Sequence, residues 1–237
     1  MKVKRIIFKI VHYCFPQLLY KKTSYSQDGE DMMVQTYYET EKHYKGFYVD
    51  VGAHHPYRFS NTAYFYGKGW RGINIEPSPT LFRAFQRYRK KDININVGVS
   101  SCNSSFPFYV FNDQALNTFD EKIAQERNIS NSRYKIVSRI DVQTCTLKDI
   151  FEKYISENKQ HTYIDFLSVD VEGLDLDVLK SNDWNKFQPG FILVECEANL
   201  ENISQDEIYL FLKEKDYNLI GRTKRTSLFR HNGNAKF

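Results

Sequence analysis

The chain has 237 residues, 41% hydrophobic and 26% charged, with a net charge of +4. That suffices for one large domain with a sizeable core, and the mild, scattered charge offers no basic stripe for nucleic acid while tolerating an anionic small molecule. Cys14, Cys102, Cys145 and Cys196 lie far apart with no C-x-x-C pair, which argues against a zinc ribbon or disulfide framework and fits a reducing cytoplasm.

Residues 1–24 open the chain with an apolar run interrupted by Lys9 and His12 and broken at Pro16. The run is shorter than the roughly 20 residues that span a bilayer, and no small-residue cleavage site follows it. An amphipathic basic segment is expected, packed on its own domain or on a second copy in a homodimer. Contact with a membrane surface is the less favoured reading.

Residues 25–237 read as one domain. "SQDGEDMMVQTYYE" puts acids in the first turn of a helix; its "QDGED" has a calcium-loop flavour but lacks the twelve-residue EF-hand pattern. "FYVDV" reads as a buried strand, "NTAYFYGKGW" as a short helix closed by Gly67 or Gly69, "GINIE" as a second strand, "TLFRAFQRYRKK" as a basic amphipathic helix, and "ININ" as a third strand. Residues 98–145 differ: "SSFPFYVF" and "SRIDVQTCT" alternate as strands do, around a helical "FDEKIAQERN". This stretch is expected to be an insertion that folds onto the main sheet. "TLKDIFEKYISE" is a helix capped by Thr146 with Asp149 three residues on. "YIDFLSVD" is an apolar strand ending at Asp170, with a helix beginning near Gly173. "GFILVECE" ends in Glu195 and Glu197, and "SQDEIYLFLKEKD" is a helix with Ser204 and Glu207 as a capping box. "YNLIGRT" and "TSLFRH" close the chain as a hairpin. The alternation predicts a doubly wound α/β domain with a mostly parallel sheet, an antiparallel terminal strand and a small mid-chain β insertion.

In such a sheet, ligands sit beyond the carboxyl ends of the strands, where strand order reverses. Four predicted strands end there in acid, at Asp50, Glu76, Asp170 and Glu195. Any one alone could be a helix cap or a solvated end; the recurrence points to a site. Glu76 is the most specific of the four. It stands 24 residues after Gly52, where a carboxylate can accept both hydroxyls of a cofactor ribose. Gly52 is expected to let the backbone approach the ligand. His54 and Pro56 occupy positions where G-x-G-x-x-G would place glycines, so the loop looks too bulky for a pyrophosphate. NAD and FAD are disfavoured on that ground, and S-adenosylmethionine, which has a ribose and adenine without a diphosphate, fits better.

"FYVDVGAHHP", "INIEPSP", "LSVDVEGLDLDVLKSNDW" and "FILVECE", in that order, resemble the FkbM-type S-adenosylmethionine-dependent methyltransferase family, and "YSQDGED" is similar to one branch of it. The resemblance runs from about Tyr25 to near His231. It implies a Rossmann-like methyltransferase fold and O-methylation, often of sugars in glycoconjugate or natural-product pathways. It carries Asp50 and Gly52 to the amino-acid end of the cofactor, Glu76 to its ribose, Val97 to Val99 (with Gly98) to its adenine, and Asp170 to the reactive centre. Gln27, Ala53, Asn61 and Pro77 complete the expected cofactor set.

A sugar hydroxyl is a poor acid, so transfer of a methyl group to it benefits from a base or a metal. Asp170, Glu172, His54 and Glu195 are the candidate bases, Asp170 first. A divalent ion held by Asp170 and Glu195 stays open, with no metal ligand assigned. Two other classes remain: an NAD-dependent sugar oxidoreductase, and a non-catalytic cofactor-binding partner in a glycan-building assembly.

Overall fold

The computed structural model describes residues 2–41, 43–130, 132–157, 163–196, 198–233 and 235–236, with backbone alone for 2–5 and 7. Glu197, expected at a strand end, lies outside the described residues. Two helices, α1 (Lys2–Cys14) and α2 (Pro16–Tyr20), precede the domain. Between Ile6 and Tyr20 the described side chains are exposed, except the half-buried Val11 and Leu19. Among the described side chains, the expected packing of this segment on its own domain is therefore not found.

The domain begins with α3 (Glu30–Tyr38) and continues through β1 (Phe47–Val51), α4 (Ala63–Gly67), β2 (Arg71–Ile75), α5 (Pro79–Tyr88) and β3 (Ile93–Ile95). The insertion holds β4 (Gly98–Val99), β5 (Ser104–Phe111), α6 (Glu121–Ser130) and β6 (Ile136–Cys145). Then follow α7 (Leu147–Phe151), β7 (Phe166–Val169), α8 (Asp175–Lys180), β8 (Phe191–Glu195), α9 (Glu207–Glu214), β9 (Tyr217–Arg222) and β10 (Thr226–His231).

Seven strands form one sheet in the order β3-β2-β1-β7-β8-β10-β9. Its strands are parallel save β10, which runs antiparallel to both neighbours. This mixed α/β architecture is compatible with a Rossmann-like methyltransferase fold. The antiparallel strand is last in sequence but sits inside the sheet, because the hairpin folds β10 back between β8 and β9.

Alternation along each strand explains why the sheet is covered on both sides. Val49 and Val51 of β1, Ile73 and Ile75 of β2, and Ile192 and Val194 of β8 join the core beneath α7, α8 and α9. Tyr48, Phe166, Phe191 and Leu193 join the opposite core with Val34, Tyr38, Phe65 and Trp70. Each fully buried apolar side chain contributes about 1.5–3 kcal/mol.

The mid-chain insertion is a small β unit, a three-stranded sheet of its own in the order β4-β6-β5. Its long strands are exposed along much of their length, as suits a ribbon that covers a rim. Helix α9 is capped by Asp206, which accepts from the Ile208 and Tyr209 N–H groups, not by Ser204. Ser204 lies in a preceding 3-10 turn, Ile203–Gln205, too early to reach those donors. The Thr146 cap forms as expected, accepting from Asp149 N.

Candidate active site

Strand order reverses between β1 and β7, which are paired in register from Tyr48 with Phe166 to Val51 with Val169. A cleft opens beyond their carboxyl ends. All ten expected cofactor residues line it: Gln27, Asp50, Gly52, Ala53, Asn61, Glu76, Pro77, Val97, Gly98 and Asp170. His54 and Glu172 line it too, together with Phe59, Phe108, Gln114, Asn117 and Phe119. Glu195 does not. Beta-8 lies one strand beyond β7, so its end borders a neighbouring depression with Gly173, Asp175, Asp206 and Glu207.

The floor is built from main chain. Gly52 has φ +74°, and a Cβ there would stand 1.9 Å from the Asp170 carbonyl oxygen. The glycine is thus required by the close approach of two strand ends, a reason different from the expected ligand contact. Gly52 and Ala53 both donate to the Ile75 carbonyl, at 3.0 and 3.1 Å, which ties the loop to β2.

Glu76, one residue past β2, is buried. One of its carboxyl oxygens accepts from His54 N at 2.8 Å and the other from Ser78 N at 2.7 Å. Burial pushes its carboxyl up to about 8 against these two donors, with Asp50 adding repulsion. Asp50 lies within β1 and accepts from the Thr62 hydroxyl at 2.8 Å; burial raises its carboxyl as well. Asn61 donates to Ser168 Oγ at 3.1 Å, joining the β1 loop to β7.

Behind the loop lies Arg89, fully buried, which the sequence hid inside the basic run "RYRKK". Its guanidinium donates to Pro56 O (3.2 Å), Tyr48 Oη (3.0 Å), Ser60 Oγ (3.1 Å) and Thr62 Oγ1 (3.0 Å). It also stands 3.5 Å from the Asp92 carboxylate. A single cation therefore organises the loop from Pro56 to Thr62, and through Thr62 it orients Asp50.

Four described non-glycine residues have positive φ, and three of them, His54 (53°), Phe59 (56°) and Glu172 (57°), line the cleft. Such strain persists where the surrounding structure enforces it, and it clusters at functional sites. Burial, then the Arg58 charge, lowers His54 to about 4, so its ring is neutral. The ring stacks on Phe59 at 6.2 Å, and its Nε2 is buried without a partner. His55 instead serves the turn: its Nδ1 accepts from Tyr57 N and Arg58 N at 3.1 and 3.0 Å.

The insertion forms the roof. Arg58 pairs with Asp113 at 3.3 Å, Arg127 with Glu172, and Thr118 Oγ1 donates to the Glu172 carbonyl at 2.9 Å. Gln114 Oε1 and Asn117 Nδ2, both on this roof, are buried and unpartnered. The Asn117 orientation is fixed because its Oδ1 accepts from Phe111 N at 2.8 Å. Sequence reading missed both amides, and no local pattern marks them.

Asp170 keeps exposed surface towards the cleft, yet desolvation at the floor raises its carboxyl well above the usual range, helped by Glu172, Glu195, Asp175 and Asp50. Asp175, also missed, is buried and accepts from Val171 N and Gly173 N, both at 3.3 Å. Burial, then Glu195, pushes its carboxyl up to about 7. Among the described residues no group of three or more His, Cys, Asp or Glu is arranged to hold a metal ion, so the ion left open for Asp170 and Glu195 finds no third ligand there. The acids of "QDGED" are likewise engaged by protein. Asp31 accepts from the Ser24 and Ser26 hydroxyls and Tyr25 N, and Asp28 pairs with Arg225 at 3.1 Å.

No curated protein matches the chain. The family model described as the methyltransferase FkbM domain matches residues 50–219, from Asp50 through Glu76 and Asp170 to β9, and the chain belongs to that family.

Proposed function

We propose that this methyltransferase uses S-adenosylmethionine and methylates a hydroxyl oxygen, with a sugar unit of a nucleotide-sugar or glycan as acceptor. The observation that carries the reading is Glu76. Both its oxygens are pinned by backbone N–H groups while the side chain faces the cleft beside Gly52. Each carboxyl oxygen keeps hydrogen-bonding capacity beyond that contact, which suits a ribose diol. Membership of a methyltransferase family sets aside the NAD-dependent oxidoreductase.

The cofactor, when bound, supplies an electrophilic methyl group on a sulfonium. The chain's part is to align an acceptor hydroxyl and take its proton. Asp170 is the base we assign, because it lines the cleft at the end of β7 and a carboxylate raised above the ordinary range accepts a proton better than an unshifted one. Glu172 is committed to Arg127 and acts by holding the roof. Neutral His54, with its depressed pKa, is a weak base; its Nε2, Gln114 Oε1 and Asn117 Nδ2 are hydrogen-bonding groups for a polar ligand. The test is methyl transfer from labelled S-adenosylmethionine to a panel of nucleotide-sugars and glycans. Label in a sugar ether supports the reading; label on a nitrogen or carbon acceptor instead removes the O-methylation claim.

A further inference from the structure

Residues 1–27 contain Lys2, Lys4, Arg5, Lys9, Lys21 and Lys22 and no Asp or Glu. Helix α1 is amphipathic: Ile6, Ile10 and Cys14 recur at i, i+4, i+8 along one face, Tyr13 stands at its edge beside Lys9, and His12 lies on the opposite side. That apolar face is not used by the domain, since Ile6 and Ile10 remain 57% and 55% exposed. Nor does the main sheet need it, because α3 and α4 cover one face and α7, α8 and α9 the other. Helix α2 is held to α1 through Tyr20, whose hydroxyl lies 2.9 Å from His12 Nδ1, and it adds exposed Leu18 and Tyr20.

A second copy of the chain is a poor occupant for this face. It would bring the same six cations to the contact with no acid from this segment to balance them, and like charges brought together oppose association. No described helix is long and apolar enough to cross a membrane. A basic polar side, an apolar side and aromatic residues at the boundary are instead the chemistry of a helix lying in the plane of an anionic lipid surface.

We propose that α1 and α2 anchor the protein to an anionic bilayer, with the apolar face of α1 in the headgroup region and the positive charge of the segment drawing it to the lipid phosphates. The anchor leads directly to the cleft. Gln27, seven residues past Tyr20, lines it, and Tyr25 O accepts from Ser60 N at 3.0 Å. At roughly 3.5 Å per residue, the cleft stays within about 25 Å of the anchor.

Flotation of the full chain with phosphatidylcholine vesicles, with and without phosphatidylglycerol, tests this. The anionic vesicles are expected to carry the protein at low salt, and binding should fall at least about tenfold at high salt. An Ile6→Glu, Ile10→Glu variant should stay in solution with unchanged melting. No flotation on anionic vesicles, or equal flotation on neutral ones, overturns the proposal. So does a wild-type dimer in light scattering that the same variant splits while neither protein floats.

Discussion

The main chain of Gly52 approaches Asp170 so closely that a methyl group at position 52 would stand 1.9 Å from the Asp170 carbonyl oxygen. The two residues end neighbouring strands, one from each side of the reversal in strand order, and Asp170 N donates to Val51 O at 3.0 Å. Gly52→Ala must therefore part the strand ends or lose the positive φ. We expect a loss of about 1–3 kcal/mol in stability, read from denaturant melts, with weakened ligand binding. An alanine variant of wild-type stability would mean that the contact relaxes freely.

Ionisation of the buried acids should set the pH dependence of stability. Glu76 and Asp175 hold their protons up to about 8 and about 7 in the folded state, whereas in unfolded chains such groups ionise near 4. The folded state thus binds more protons between these limits, so stability falls as pH rises through 7 and 8. The melting temperature should drop from pH 6 to 8.5, and Glu76→Gln should shrink the drop. An equal drop in wild type and variant would contradict the Glu76 assignment.

Asp170 must be ionised to act as a base, and its carboxyl is raised. The rate should therefore climb with pH along a limb lying above the ordinary carboxylate range. Asp170→Asn keeps shape but removes the base. It should lose on the order of 10²-fold in kcat, abolish that limb, and melt normally. Unchanged turnover would move the base elsewhere in the cleft. Simple unfolding would make Asp170 structural.

Asn117→Asp preserves the oxygen that accepts from Phe111 N while removing the buried, unpartnered Nδ2 donor. We expect it to weaken one ligand by about 1–3 kcal/mol, the cost of an unsatisfied polar group. Titration with S-adenosylhomocysteine and the acceptor KM together identify which ligand. Neither changing would show that the roof amides meet no ligand.

The strand-end acids were legible because an apolar run that stops at Asp or Glu is a local pattern, and Asp50, Glu76 and Asp170 meet at one cleft. Glu195 carried the same pattern and lies elsewhere, since strand order is a property of the sheet and not of the strand. Arg89 was illegible for a related reason. Two lysines follow it directly, and only the folded loop shows that one cation of the run turns inward. The roof amides have no local signature at all; their significance is the absence of a partner once the insertion has closed over the cleft. Asp206 against Ser204 was a matter of two residues of register at a helix start.

Calorimetric titration of the wild type and Glu76→Ala with S-adenosylhomocysteine, with NADH as control, tests the central claim most directly. The wild type should show one site and no response to NADH. In the folded variant, affinity should fall by about 1–3 kcal/mol, roughly five- to more than a hundredfold, the cost of leaving the ribose hydroxyls without a partner. A folded wild type that does not bind S-adenosylhomocysteine, or a folded variant that binds it equally well, would contradict it.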